Sequence, residues 1–274
     1  MKLNQHTFST VKNHIYNEGR LLERRMFELV FGDGTPEEFL SALRAYMNND
    51  GGFGNGIEPD LRTPKSNAIS VETALCLIDI ANVHDGTIVR EIAHWVSRSL
   101  NQNGWISHPV DEIKKYPHQP WWENTDDKRI LSISGLLNKL GVESILDEER
   151  IRQYALTLDL PEEINIYDYP LFVYALYHHD FERRDEILDH YKHGMEVFLK
   201  NNMSHYPLFS RYWYHAIETL PNSVVEAEAW RVIDGLTTEG HLVNMYDDLP
   251  WWTPIFTLDA LAIQKKYGFL KIID

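Results

Sequence analysis

The sequence predicts an all-α fold in which helical hairpins stack side by side and close into a ring. Apolar residues recur with helical spacing along most of the 274 residues, and no stretch alternates convincingly with a period of two. A weak repeat places two similar helix-ending turns, at Phe53 and Trp105, 52 residues apart, which suits a two-helix unit. Strongly apolar helices alternate with striped ones, as the inner and outer layers of a closed ring would.

Capping signals and apolar stripes predict about eleven helices in a single domain over residues 1–274. A capping box at Thr35 and Glu38 starts a helix over 36–47, and a second box at Ser223 and Glu226 starts another. The helix that follows the second box covers 224–235. The remaining predicted helices are the long stretch 6–31 and the segments 71–80, 88–100, 128–140, 148–158, 164–178, 183–201, 211–219 and 254–267.

The repeated turn is the most specific motif of the chain. Residues 48–54 read Asn-Asn-Asp-Gly-Gly-Phe-Gly, residues 101–105 read Asn-Gln-Asn-Gly-Trp, and degraded copies are expected at 201–206 and 238–242. The first run resembles the repeat of the terpenoid cyclase and protein prenyltransferase superfamily, in which a helix ends in an Asp-Gly-Gly-aromatic turn. This resemblance implies an (α/α) toroid of about five hairpins around a central cavity. The Gln that precedes the turn in that family is replaced by Met47 and Ser99.

The catalytic signatures of that superfamily are missing from the sequence. No Asp-x-Asp-Asp motif exists, because Asn124 and Met245 stand two positions before the two Asp-Asp pairs, and neither pair is completed to Asp-Asp-x-x-Asp. Cys76 lies in an apolar helix without the Asp that prenyltransferases place before their zinc-binding Cys. The chain therefore resembles the scaffold and lacks each well-known active site.

Composition restricts the partners and the compartment. The chain carries 41 Asp and Glu against 26 Lys and Arg, a net charge of −15, which argues against binding to nucleic acid or to an anionic membrane. The single cysteine excludes a disulfide within the chain. No apolar run reaches the length of a membrane span, and the N-terminus has no signal-peptide core, so we expect a cytoplasmic protein. The oligomeric state cannot be read from the sequence.

A long loop after the first turn holds the first candidate site. Glu58, Asp60 and Arg62 lie there among glycines, where two carboxylates and a guanidinium can bind a polar ligand or act as an acid–base pair. The alternative is a structural loop in which Asp60 caps a turn and Arg62 pairs with a neighbouring acid. We expect Asp60 to be catalytic and Glu58 and Arg62 to bind ligand.

Two further loops combine adjacent acids with paired tryptophans. In one loop we expect Trp121 and Trp122 to bind ligand and Asp126 and Asp127 to be catalytic. The alternative is that these acids only cap the following helix. The other loop carries a matching set, with a carboxylate pair as general acid or as ligand of a hard cation such as Mg²⁺. Its members are Tyr246, Asp247, Asp248, Trp251 and Trp252.

Tyr167 and Asp168 complete the candidate residues, at the start of a strongly apolar helix. We expect both to contact ligand, and the alternative is that they only pack or cap the helix. The histidines show no spacing typical of a zinc site, so no metal centre is predicted from them.

Three functions fit this set of residues. An aromatic cavity suits an isoprenoid, because aromatic faces stabilise carbocations and cover apolar ligands. Aromatic faces also stack on sugar rings, and paired carboxylates cleave glycosidic bonds, so a carbohydrate-active (α/α)-barrel enzyme is the alternative. A non-catalytic toroid that binds a small molecule is the third possibility.

Overall fold

The computed structural model describes residues 1–108, 110–142, 145–246 and 248–273, and it is mostly helical. Within these residues the chain forms eleven α-helices, which confirms the predicted all-α class. They are α1 Gln5–Glu18, α2 Leu21–Phe31, α3 Pro36–Arg44, α4 Ala68–Ile80, α5 Gly86–Ser99, α6 Arg129–Lys139, α7 Glu148–Leu156, α8 Tyr169–Tyr177, α9 Arg184–Asn201, α10 Asn222–Asp234 and α11 Trp252–Lys266. Shorter 3₁₀ helices cover Asp111–Lys115, Pro120–Glu123, Met203–His205, Pro207–Phe209 and Tyr214–Glu218. No helix in the described ranges is long and apolar enough to cross a membrane.

The described chain divides into two compact units. Unit 1 comprises residues 1–44, 80–83 and the chain from residue 199 onward, and unit 2 comprises residues 45–79 and 84–198. The single domain over 1–274 stays a prediction.

Several predicted helix boundaries are wrong, each for a local reason. The stretch 6–31 forms two helices, because the chain leaves α1 at Gly19 and the Glu23 carboxylate accepts the backbone N–H of Arg20 at 3.0 Å to start α2. The helix expected over 164–178 begins only at Tyr169, since the Asp168 carboxylate accepts the N–H of Asn165 at 2.8 Å and closes a turn there.

The two capping boxes differ in outcome. Thr35 and Glu38 exchange the expected hydrogen bonds at 3.1 and 3.3 Å, and α3 begins as predicted, although it ends at Arg44. Ser223 caps nothing, because the Pro221 carbonyl already accepts two helical N–H groups and α10 begins at Asn222. The α-helix expected over 211–219 is only the 3₁₀ helix Tyr214–Glu218.

A short parallel sheet in unit 1 was not predicted from the sequence. Strand β1, Lys2–Asn4, pairs with strand β2, Lys271–Ile273, in the register that places Leu3 opposite Ile272. Leu3 is buried between exposed neighbours. Three-residue strands are too short to give a recognisable period of two, so no pattern predicted them.

Three turns share one backbone geometry. In each, the first residue donates its N–H to the carbonyl of the fifth, and the fourth donates to the carbonyl of the first, with N···O distances of 2.8–3.2 Å. The flanking residues form an antiparallel bridge. The fourth residue is always a glycine with φ between 80 and 89°. These glycines are Gly51, Gly104 and Gly240. The repeat predicted at residues 48–54, 101–105 and 238–242 is therefore present as a turn.

Each turn glycine lies directly against the backbone of another helix in its own unit. A Cβ added at these positions would come within 2.5–2.6 Å of backbone atoms, a distance that real Cβ atoms do not adopt. The atoms are the carbonyl oxygens of Glu91 in α5 and Arg150 in α7, and the amide nitrogen of Val11 in α1. Glycine is thus required at these turns twice over, by its positive φ and by the close approach.

The predicted copy at 201–206 does not form this turn. It has no glycine, and it folds as the 3₁₀ helix Met203–His205 followed by Tyr206 in the left-handed region, with φ of 46°. Residues of this segment of unit 1 also line a pocket.

The contrast between apolar and striped helices is confirmed for α4 and α5 in unit 2. Every residue of α4 is buried, whereas α5 buries one face that includes Ile88, Ile92 and Trp95. The helices α6 and α8 approach closely where Gly135 meets the carbonyl of Val173. That these helices form the inner and outer layers of a ring stays a prediction.

A buried histidine at the end of α8 forms hydrogen bonds with residues of α6. The amide of Asn138 donates to His178 Nδ1 at 3.1 Å, so His178 Nε2 carries the proton and donates to Ser134 Oγ at 2.9 Å. Burial lowers the pKa of His178 to about 4. The imidazole is therefore neutral at physiological pH.

We expect replacement of Gly104 by alanine to destabilise the protein more than replacement of Gly141. Both glycines have a positive φ, of 89 and 77°, but only Gly104 faces backbone atoms, whereas a Cβ at Gly141 meets open space. The close contact should cost about 1–3 kcal/mol beyond the shared backbone strain. Urea unfolding of the two variants measures the difference. Equal losses would show that the turn does not depend on this contact.

Acid should weaken the fold through His178. Because the folded protein holds this imidazole neutral, its contribution is complete above pH 6.5 and is lost as the pH falls toward about 4. The loss amounts to about 3 kcal/mol at most. His178→Gln should flatten the dependence of the unfolding free energy on pH in this interval, as measured by urea unfolding at several pH values. The exposed His84 provides a control, since His84→Gln should leave the slope unchanged.

Candidate functional site

The loop that follows the first turn in unit 2 folds inward. Glu58 is buried and accepts a hydrogen bond from the Thr73 hydroxyl, and Asp60 is buried as well. Arg62 is exposed, and its Nε donates to the carbonyl of Pro59 at 3.2 Å. The carboxylates of this loop therefore stabilise it and are shielded from solvent.

The paired tryptophans of unit 2 point to different environments. Both lie in the 3₁₀ helix Pro120–Glu123, where Trp121 is 41% exposed. Trp122 is half-buried and packs on the apolar cluster of Leu61, Ile69 and Ile113. Trp122 thus anchors its loop to the loop that carries Glu58 and Asp60.

The acids that follow these tryptophans do not cap α6. Its N-cap residue is Lys128, which makes no side-chain capping bond, so the capping alternative for Asp126 is wrong. Asp126 accepts from Arg129 Nε at 2.7 Å instead. The Asp127 carboxylate acts on the phenol of Tyr154: burial raises the pKa of this phenol, and the negative charge of Asp127 raises it further.

Tyr167 and Asp168 lie at the start of α8. Tyr167 is 61% exposed. Asp168 is half-buried and is engaged on both sides, since its carboxylate accepts from Asn165 and its carbonyl accepts from the Tyr191 hydroxyl at 2.8 Å. Asp168 therefore shapes the entry to the helix.

A buried charge network in unit 2 was not predicted. Glu72 in α4 accepts hydrogen bonds from Arg129 and Ser132 of α6 and from Tyr169 of α8. Arg129 joins this carboxylate to Asp126. Burial raises the pKa of the Glu72 carboxyl, and Arg129 opposes that rise. The sequence could have indicated this network, because a lone Glu inside an otherwise apolar helix requires buried partners.

In unit 1, most of the described predicted residues gather beside α11. Tyr246 and Trp251 pack with Leu249 and Trp252 in one apolar cluster. Trp252 is 7% exposed and stacks on Phe256 with ring centroids 5.0 Å apart. Asp248 is exposed beside them, and Asp247 lies outside the described residues.

An aromatic pocket opens next to this cluster. It encloses about 410 Å³ of empty space, its open mouth included. Its aromatic walls come from residues of the 3₁₀ segments and of α11, with Leu242 and Ala260 between them. The aromatic lining residues are Tyr206, Phe209, Tyr212, Trp252 and Phe256.

One ion pair gives the pocket its polar floor. Arg211 Nε lies 2.6 Å from Asp259 Oδ2, and both side chains are buried. Glu23 in α2 also interacts with Arg211, although Arg20 is its closer partner at 2.7 Å. Burial raises the pKa of Glu23, and these guanidinium groups more than offset it, so that the carboxyl stays below its ordinary pKa.

Two polar atoms of the lining residues have no hydrogen-bond partner. They are Trp252 Nε1 and His205 Nδ1, and both are buried. An indole N–H is a donor only, and the Trp252 nitrogen is closed off from solvent in this structure. Burial lowers the pKa of His205, which keeps its imidazole neutral.

One wall of the pocket is strained and firmly held. Tyr206 adopts a left-handed backbone with φ of 46°, and the guanidinium of Arg231 lies 5.4 Å from its ring centroid. The Tyr206 hydroxyl rests on Gly235, where a Cβ would collide with it. Arg231 also donates to the carbonyl of Met203. Strained non-glycine residues persist where surrounding contacts fix them, and they concentrate at binding sites.

The structure brings the predicted residues together in two groups and leaves some apart. Trp252 lines the pocket of unit 1, with Tyr246 and Trp251 packed in the cluster beside it. Asp126 joins the charge network of unit 2. The described residues contain no group of three or more His, Cys, Asp or Glu side chains placed to hold a metal ion. The pocket residues Arg211 and Asp259 were missed, because 48 positions separate them in the chain.

No family model, curated protein or solved structure matches the chain.

Arg129→Leu should destabilise the protein by about 3–5 kcal/mol, because it leaves the Glu72 carboxylate buried without its counter-charge. Urea unfolding measures this loss. Lys114→Leu removes a cation from the exposed pair with Glu123 and should cost much less than Arg129→Leu. Replacing Glu72 and Arg129 together by Leu should cost less than Arg129→Leu alone. A double variant as unstable as the single one would contradict the role of Arg129 as a counter-charge.

Proposed function

We propose that the protein binds a small, largely apolar molecule with one polar end in the aromatic pocket of unit 1. One observation carries the proposal. Aromatic rings form most of the pocket wall around a single buried Arg211–Asp259 pair and an indole N–H of Trp252 that lacks a partner. Such a lining covers a hydrocarbon body and orients one polar group.

An isoprenoid is the ligand class that this lining favours. A sugar ring carries hydroxyl groups around its whole edge and needs many donors and acceptors, whereas the accessible surface of the described lining is mainly apolar. An isoprenoid alcohol or ester has one oxygen-bearing end, which suits the Trp252 donor and the adjacent ion pair. The resemblance of the Asp-Gly-Gly-Phe turn to the terpenoid cyclase and prenyltransferase repeat points to the same ligand.

Binding rather than catalysis is the activity we propose. The pocket's only described carboxylate, Asp259, is ion-paired with Arg211, and a neighbouring guanidinium favours the charged form of a carboxyl group. A pocket with one carboxylate, itself ion-paired, lacks the pair of carboxyl groups that glycosidic cleavage uses. Saccharide cleavage remains the second candidate only for the predicted acids of unit 2, most of which are engaged within their loops.

We further propose that the chain forms a single (α/α) toroid. Two features support it: the repeated turn that docks on a helix of another hairpin, and the third copy of that turn, which docks on α1. A contact between the C-terminal part of the chain and its first helix is what a closed ring of hairpins requires.

Titration with geraniol and farnesol should quench or shift tryptophan fluorescence in a saturable way, whereas maltohexaose and cellohexaose should not. Calorimetry then gives the affinity. Trp252→Phe keeps an aromatic ring but removes the N–H donor and part of the indole surface, so it should weaken isoprenoid binding by about tenfold or more. Trp230→Phe is the matched control, since Trp230 in α10 is 51% exposed and does not line the pocket.

Saturable binding of the oligosaccharides alone would contradict the proposed ligand class. Isoprenoid binding that is equally strong in the Trp252 and wild-type proteins would move the ligand to another site.

A further inference from the structure

A pair of histidines lies where the third repeated turn meets α1. The rings of His14 in α1 and His241 in the turn are 4.7 Å apart between centroids and inclined by 35°. Gly240, next to His241, rests on the peptide bond between Thr10 and Val11. His14 follows Thr10 by one helical turn and so lies on the same face of α1. The imidazole pair is therefore part of the contact that docks this turn.

Both ring nitrogens of His241 lie near hydrogen-bond acceptors. Its Nδ1 lies 3.0 Å from the carbonyl oxygen of Leu242, and its Nε2 lies 3.3 Å from a carboxylate oxygen of Glu239. His241 is thus held by contacts within its own turn.

His14 lacks such contacts. Its Nε2 is buried and has no hydrogen-bond partner. Burial and the neighbouring His241 lower the pKa of His14, while Glu18 and Glu239 oppose them with smaller effects. The charged groups that act on His14 are therefore one histidine and one acid from the turn, and one acid from its own helix. A neutral imidazole stacked on a charged one is a stable pair, but two imidazolium rings at this distance repel.

We propose that His14 and His241 form an acid-sensitive latch that releases the turn 237–242 from α1 when His14 takes up a proton. Released His14 is solvated and away from His241, so it binds a proton more readily than docked His14. Acidification therefore favours the released state, and the docked contact is complete above the ordinary histidine range near pH 6.5.

The molecule contains its own control for this latch. The turns at Gly51 and Gly104 have the same hydrogen bonds and the same backbone docking, on α5 and α7. Neither turn contains a histidine within residues 48–54 or 101–106. A pH effect specific to the histidine pair must therefore spare these turns, whereas a general acid effect on the fold must reach all three.

Hydrogen exchange of the full chain, corrected for the intrinsic effect of pH, tests the latch. Between pH 7.5 and 5.5, protection of the amides of residues 237–242 should fall by up to about tenfold for each pH unit, the limit for one titrating proton. Protection of the turn at Gly104 should remain constant when every protein compared carries His178→Gln, which removes the acid effect of that buried histidine. His14→Gln, which cannot be charged, should abolish the fall, and so should His241→Gln, which removes the repelling ring.

His6→Gln is the matched variant, because His6 lies in the first turn of α1 and is exposed, and it should keep the wild-type response. Loss of protection in both the 237–242 and 101–106 turns would overturn the proposal. A fall in protection that persists in His14→Gln and His241→Gln would overturn it as well.

Discussion

The close approach of backbone to backbone at the turn glycines is the constraint on which the local architecture depends. A turn that lies flat on a neighbouring helix leaves no room for a side chain at its fourth residue, and the same residue needs a positive φ. These two requirements give the three turns one set of hydrogen bonds. Each turn then delivers the chain, at a fixed point and direction, into the loop that follows it. The loops with the candidate residues therefore start from rigid positions.

Each unit also contains one buried arginine held by acids, and the surroundings of the two arginines differ. Arg129 contacts Glu72, whose oxygens are saturated by the hydroxyls of Ser132 and Tyr169. That arrangement fixes the faces of α4, α6 and α8 and offers nothing to a ligand. Arg211 pairs with Asp259 at the edge of an open aromatic pocket. A buried Arg–carboxylate pair thus stabilises helix packing in unit 2, and another lies in the lining of a pocket in unit 1.

The sequence was informative where a feature depends on neighbouring residues. The turn at 238–242 could be found because its Gly240 keeps the position that the geometry demands, and the copy expected at 201–206 failed because it has no glycine there. The capping box at Thr35 was readable for the same reason. The two buried ion pairs join residues 57 and 48 positions apart, which a single sequence does not connect. Paired strands of three residues carry no periodicity at all.

The acid excess acquires a structural explanation from the partners of individual carboxylates. Glu58 binds a threonine hydroxyl, Asp126 an arginine and Asp168 a backbone N–H, each within unit 2. These acids hold their loops in place. Aromatic side chains contribute five of the residues that line the pocket of unit 1. Aromatic rings select by shape and apolar contact, which is the basis for the binding role that we propose.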